Sequence, residues 1–210
     1  MTSPNPLGFN NPPPGWVGNT SWTPVPGLVV PAGPGLADEP TGTLFRTVPG
    51  GVLTSVTLGA LNITGLVAVR SILLTPGQVI SNISILFGTT GATGPTQLWA
   101  ALTDANLNVL AVTGDQGAAA QVASTFTTIP LAAKYATTFN GLAYVLVSSS
   151  ASTTAPTLAG APVVGAGRVA GPPVFCGTAG SLATPPALGA QVNSGTITAA
   201  GGSNFGAWLS

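Results

Sequence analysis

Asp104 and Asp115 are the two carboxylates in the part of the chain richest in strand signals. A pair of carboxylates is the minimum equipment of a glycoside hydrolase, one acting as acid and the other as base or nucleophile. That chemistry needs them roughly 5–10 Å apart in one cleft. Both aspartates fall in turn-forming sequence, where Asp commonly accepts hydrogen bonds from its own backbone. A second chemistry is written over the same residues. Asp104-x-Asn106-x-Asn108, with Asp115 in twelfth place, has the outline of a calcium loop. Its sixth position is Val109 where such a loop needs Gly, and its twelfth is Asp where Glu is usual. The flanks read as strands, so a hairpin turn fits this stretch better than a cation cage.

Nucleophilic and cofactor chemistry find less. With no histidine and no Gly-x-Ser-x-Gly elbow, neither a serine nor Cys176 has a base to activate it. Cys176 is the sole cysteine, so the chain contains no internal disulfide and no soft metal cluster. Lys134 would act as a base only if buried. No Gly-Lys pair exists for a phosphate loop, and Gly165-x-Gly167 lacks the third glycine of a dinucleotide fingerprint. The expectation is a protein that is not an enzyme and holds no cofactor or metal. Trp99 is the one side chain with ligand chemistry. It alternates with Leu98, Ala100 and Leu102 and so faces away from them. On an open face it would stack on a sugar ring; on a covered face it would pack under a loop or a neighbouring subunit.

The elements that must position these residues are short strands. Period-two alternation with β-branched residues predicts strands over 52–58, 66–74, 79–87, 97–103, 107–113, 122–129 and 142–149. Turn signals separate them: Thr75-Pro76-Gly77, Gly91 to Pro95, Asp104-Ala105-Asn106, Gly114 to Gly117 and Asn140-Gly141. Leu98–Thr103 and Leu107–Thr113 read as a hairpin. The alanines of Gln116–Ala123 allow a short helical piece. Strands of this length and spacing predict an all-β, jelly-roll-like antiparallel sandwich over 41–210. Residues 151–204, rich in Gly, Ala, Ser, Thr and Pro, predict long loops with two short strands. Asn204–Ser210 reads as a last strand tucked into a sheet.

Residues 1–40 are different. Pro12-Pro13-Pro14-Gly15, Pro24-Val25-Pro26-Gly27 and Pro31-Ala32-Gly33-Pro34-Gly35 bar helix and central strand and favour an extended, polyproline-like arm. Phe9, Trp16, Trp22, Leu28, Val29 and Val30 lie on it. Large apolar groups on an extended arm need a surface to bury against, and a buried Trp contributes roughly 2–3 kcal/mol. These six are the candidate docking residues.

Composition bears on partners. Charged residues are 4 % of the 210, with four acids and four bases, against roughly 25 % in ordinary soluble domains. Four scattered cations do not make a basic stripe, so a nucleic-acid partner is not expected. The uncharged run from Thr47 to Val69 is long enough to span a bilayer, but its glycines, Pro49 and alternating pattern favour a strand, so no membrane span is expected. The N-terminus has neither a basic region nor an apolar core, so a signal peptide is not expected either. A neutral surface gives little colloidal repulsion and favours association, so a homo-oligomer, for instance a trimer, is expected.

One stretch of sequence carries a resemblance. It starts with Val67-Ala68-Val69-Arg70-Ser71-Ile72-Leu73-Leu74-Thr75-Pro76-Gly77-Gln78-Val79-Ile80-Ser81-Asn82-Ile83-Ser84. It continues through Leu98-Trp99-Ala100-Ala101-Leu102-Thr103-Asp104 and Leu110-Ala111-Val112-Thr113-Gly114-Asp115-Gln116. Gly141-Leu142-Ala143-Tyr144-Val145 and Ala155-Pro156-Thr157-Leu158-Ala159-Gly160 follow. The pattern resembles β-sandwich modules in virion proteins of tailed phages of actinobacteria, of the minor tail, fibre or head-decoration type. It covers residues 44–160 and touches Thr184-Pro185-Pro186-Ala187-Leu188-Gly189-Ala190; the arm is not covered, and no catalytic residue comes with it. The resemblance implies a structural virion subunit made in the host bacterial cytoplasm, whose partners are other capsid or tail subunits. The alternative it leaves open is a fibre module binding a host-surface glycan or receptor.

Overall fold

The computed structural model describes residues 40, 42–47, 65–160, 173–199 and 205–210. The six candidate docking residues, Phe9 to Val30, and the strand expected over 52–58 lie outside the described residues.

The described chain forms ten strands: β1 Phe45–Arg46, β2 Leu66–Leu74, β3 Val79–Leu86, β4 Thr93–Asp104, β5 Val109–Val112, β6 Phe126–Ala136, β7 Gly141–Thr154, β8 Cys176–Ser181, β9 Thr198–Ala199 and β10 Ala207–Leu209. Their antiparallel pairings nest like one long hairpin. β4 pairs β5, β3 pairs β6, β2 pairs β7 and β1 pairs β10. The hairpin is then rolled so that β7 also pairs β4 and β10 also pairs β3. The result is a four-stranded sheet in the order β1-β10-β3-β6 and a larger sheet in the order β5-β4-β7-β2-β8-β9. This is the connectivity of a jelly roll, with β8 and β9 added at one edge. The expected all-β sandwich is therefore the observed one.

Each strand serves the fold through its two faces. Leu98, Ala100 and Leu102 of β4, Ala143, Val145 and Val147 of β7, and Ala68, Ile72 and Leu74 of β2 point between the sheets. There they meet Ile83 and Ile85 of β3, Ile129 and Leu131 of β6, and Ala207 and Leu209 of β10. The opposite face of the larger sheet is buried as well. Val67, Val69, Trp99, Ala101, Tyr144 and Leu146 pack there under Ala179 and Val192. Strands buried on both faces read as continuous apolar runs, which is why Leu142–Val147 holds no polar residue.

The cover over that outer face comes from 173–199, where long loops and two short strands are expected. Both strands are present, as β8 and β9. At Gly177 a Cβ would run into the Thr198 carbonyl and the Ile197 side chain, so only glycine lets β9 close on β8. The expected helical piece at Gln116–Ala123 is instead a loop with one turn, and the strand expected from residue 122 begins at Phe126. Among the described residues no helix is long and apolar enough to cross a membrane. Among the described residues β6 is an edge strand of the smaller sheet, bridged to Thr113 only at Leu131, and Pro130 and the exposed Lys134 oppose strand addition along it.

Candidate functional site

The two aspartates are turn acceptors that sit far apart. Asp104 Oδ1 accepts the backbone N–H groups of Asn106 at 2.8 Å and Asn108 at 2.9 Å, and its Oδ2 accepts the Asn108 side-chain amide at 2.8 Å. This closes the β4–β5 hairpin tip and holds Leu107 in the left-handed region, φ 63°. The strain is offset because the Leu107 side chain is fully buried in the outer cluster. Asp115 Oδ1 accepts Leu98 N–H at 3.0 Å and Gly117 N–H at 2.8 Å. Leu98 and Asp104 are six residues apart on one strand, or about 20 Å at the usual rise. The aspartates therefore do not share a glycosidase cleft. In the calcium outline, both Asp104 oxygens are taken by N–H donors of Asn106 and Asn108, and Asp115 bonds Leu98 and Gly117 about 20 Å away, so the outline's two carboxylates do not converge. Among the described residues no group of three or more His, Cys, Asp or Glu is placed to hold a metal.

Trp99 corrects the sugar-stacking expectation. It does face away from Leu98, Ala100 and Leu102, but that face is covered, and its side chain is 0 % exposed. The ring packs in the outer cluster with Val67, Tyr144, Leu146 and Val192, and its Nε1 is buried without a partner. A sugar has no access to it while 173–199 is in place.

Cys176 is buried, and it pairs across β8 and β2 with Arg70. Arg70 Nη2 donates to the Thr47 carbonyl at 3.3 Å, so this side chain ties the larger sheet to the residue that follows β1. Burial pushes the Cys176 thiol up, with the Arg70 guanidinium opposing. Burial also lowers the Arg70 guanidinium, with Cys176 opposing. The Tyr144 phenol, which donates to the Val174 carbonyl at 2.9 Å, is likewise pushed up by burial. A thiol held protonated is a poor nucleophile. Because the folded state favours the neutral forms, these two groups stabilise the fold fully below their ordinary values, about 8.5 for Cys and 10 for Tyr. That contribution is lost as the pH rises through their folded values. With no histidine in the chain, the urea midpoint should stay level from about pH 6 to 8 and fall above about pH 9. Cys176→Ala should delay the start of that fall toward the tyrosine range.

Two features escaped the sequence reading. The first is a buried amide and hydroxyl network across β4 and β7. Gln97 Nε2 donates to the Leu182 carbonyl at 2.9 Å and its Oε1 accepts from Ser150 at 3.1 Å. Gln121 Nε2 donates to the Gln97 carbonyl at 3.1 Å, and its Oε1 accepts from Ser149. Ser148 donates to the Gly65 carbonyl at 3.1 Å. These groups satisfy one another and leave no polar atom aimed at a ligand. The second is an apolar patch where the cover ends. Leu73 is 70 % exposed and stands opposite Leu142, while Phe175, 46 % exposed, accepts Ser71 N–H at its carbonyl. Consecutive leucines at the end of β2 are the one sequence signal for it. No protein-family model, curated protein or solved structure matches the chain.

Proposed function

We propose that this chain is a non-enzymatic structural subunit of a tailed-bacteriophage virion, a capsid-decoration or minor tail protein made in the host bacterial cytoplasm. It associates with copies of itself and docks on neighbouring capsid or tail subunits through its N-terminal arm. The observation that carries the reading is the use made of polar groups. Asp104, Asp115, Gln97 and Gln121 all bond within the fold, and none converges on an open site. Among the described residues the exposed charges are few, Arg46, Asp115 and Lys134, and Leu73 and Phe175 stand open for contact. Jelly rolls serve viral capsids, lectins and cupins alike, so the fold is compatible with this role without assigning it. The glycan-binding alternative loses its one named residue with the burial of Trp99.

Two measurements test this. Sedimentation of the purified full chain should give a homo-oligomer at micromolar concentration; a highly soluble lone monomer would count against the reading. Changing Phe9, Trp16 and Trp22 together to alanine removes about 6 kcal/mol of apolar burial, a loss of more than roughly a thousandfold in docking. The variant should keep the thermal midpoint of the parent chain and be missing from purified particles. Normal incorporation would refute the docking arm.

A further inference from the structure

The larger sheet carries two apolar features at one height on opposite flanks. The first is a patch. Along β2, Val67, Val69, Ser71 and Leu73 alternate onto the outer face, and Leu73 lies where the cover has ended. Leu142 of β7 stands directly opposite Leu73. Phe175 lies beside Ser71, whose N–H its carbonyl accepts at 2.8 Å. Leu73 and Phe175 are both exposed. The second feature is a knob. Ala190 N–H closes a turn on the Ala187 carbonyl at 3.1 Å, and Gly189, φ 76°, takes the left-handed position that a type II turn requires. Gly189 N–H donates to the Val109 carbonyl at 2.8 Å and Val109 N–H to the Ala190 carbonyl at 2.9 Å, which fixes the turn to the edge of β5. Leu188 projects from this turn, 66 % exposed, behind the stiff pair Pro185-Pro186.

Knob and patch do not meet within one copy. Val109 stands opposite Thr103, Thr103 opposite Tyr144 and Tyr144 opposite Ser71, with Phe175 next in the row. Along the sheet they are four strand spacings apart, about 19 Å. Each copy can therefore give one such contact and receive another. Charge favours a copy of this chain as the occupant. Of the exposed charges among the described residues, Arg46 and Lys134 stand on the smaller sheet, and Asp115 bonds Leu98, away from this row. Both oxygens of Asp104 are bonded within its hairpin. A charged partner would be stripped of water here with nothing to pair it, whereas a second copy brings a matching neutral surface. Area points the same way. Leu73, Phe175 and Leu188 leave on the order of 300 Å² of apolar surface open. Brought together, they fill the dry centre of an interface that needs about 800 Å² from each partner. The uncharged, largely exposed segments 75–78 and 183–191 adjoin them as a rim. The turn is already closed in the free chain, so docking it costs little ordering.

We propose that the Leu188 turn of one copy docks on the Leu73–Leu142–Phe175 patch of another. The inference rests on the self-association proposed above and names the surface that carries it. Two measurements on the full chain test it. Leu188→Cys and Leu73→Cys variants are purified separately, mixed and oxidised, with the parent chain and its buried Cys176 as background. The mixture should yield a disulfide-linked dimer with one chain of each kind, identified by the masses of its digested peptides, and neither variant alone should yield one. In sedimentation, Leu188→Asp should keep the thermal midpoint of the parent and raise the dissociation constant of the oligomer about thirtyfold or more. A disulfide formed by Leu73→Cys alone would set patch against patch and overturn the proposal. So would a Leu188→Asp chain that assembles as the parent does, or an oligomeric parent whose variants give no mixed dimer; self-association through another surface would then stand. A parent chain that sediments as a monomer overturns both.

Discussion

Trp99→Ala lowers the stability of the fold by about 3–5 kcal/mol, among the largest costs expected of one substitution in this chain. The indole is 0 % exposed and sits between the larger sheet and the segment that covers it. Its removal leaves a cavity that strands on one side and a glycine-tight β8–β9 pair on the other are poorly able to close. The loss falls on the outer cluster, while the inter-sheet core keeps its residues. Amide protection should therefore drop first in Cys176–Ser181 and in Val192–Gly195, and less in β3 and β6. Trp99→Phe makes the useful contrast. It gives up volume but also deletes an N–H that is buried without a partner, a penalty of about 1–3 kcal/mol in itself. It should cost about 2 kcal/mol or less. A Trp99→Ala midpoint within 1 kcal/mol of the parent would mean the cover is loosely held and the outer face open to ligand after all.

The burial of Trp99 also marks where sequence reading stops. Alternation in β4 and β7 assigns every side chain to the correct face, because the period of a strand is two whatever lies above it. It does not say how many of those faces are covered. The cover, 173–199, has few large apolar residues and reads as loop, and it is its long-range pairing, of β8 with β2 and of Gly189, Ala190 and Val192 with Leu107 and Val109, that brings it over the sheet. The far end of β7 was illegible for a related reason. Ser148, Ser149 and Ser150 look like surface, yet they are buried because Gln97 and Gln121 supply their partners from 28 to 53 residues away. Local sequence carries no record of a partner at that distance. The aspartates were legible, since an Asp two residues before a turn N–H bonds it by short-range geometry alone. The clustered alanines near Gln121 misled: their helix preference is worth a few tenths of a kcal/mol per residue, less than the buried bonds that Gln121 makes in an extended loop.

Deleting residues 205–210 should abolish the native fold altogether. β10 is only three residues long, yet it lies between β1 and β3 and hydrogen-bonds to both. Phe205, Ala207, Trp208 and Leu209 are each no more than 1 % exposed. Thr47 donates to the Phe205 carbonyl at 3.0 Å and accepts Ala207 N–H at 2.8 Å, so the loss also orphans groups beside β1. Removing a buried Phe, Trp and Leu at about 2–5 kcal/mol each comes to about 6–15 kcal/mol, as much as the 5–15 kcal/mol that holds a typical domain. The shortened chain should show no cooperative thermal transition. It should also aggregate, because β1 and β3 become bare edges next to a neutral surface. The same geometry governs how the intact chain folds. Phe45 pairs with Leu209, and the nested pairings leave that contact, the longest in sequence, for last. Contacts of such separation fold slowly, so the smaller sheet cannot close until residue 209 has been made. Chains halted between residues 160 and 204 should therefore remain protease-sensitive in β3 and β6. Protection of those strands in a halted chain would show that the smaller sheet stands without β10, and would contradict the deletion result expected here.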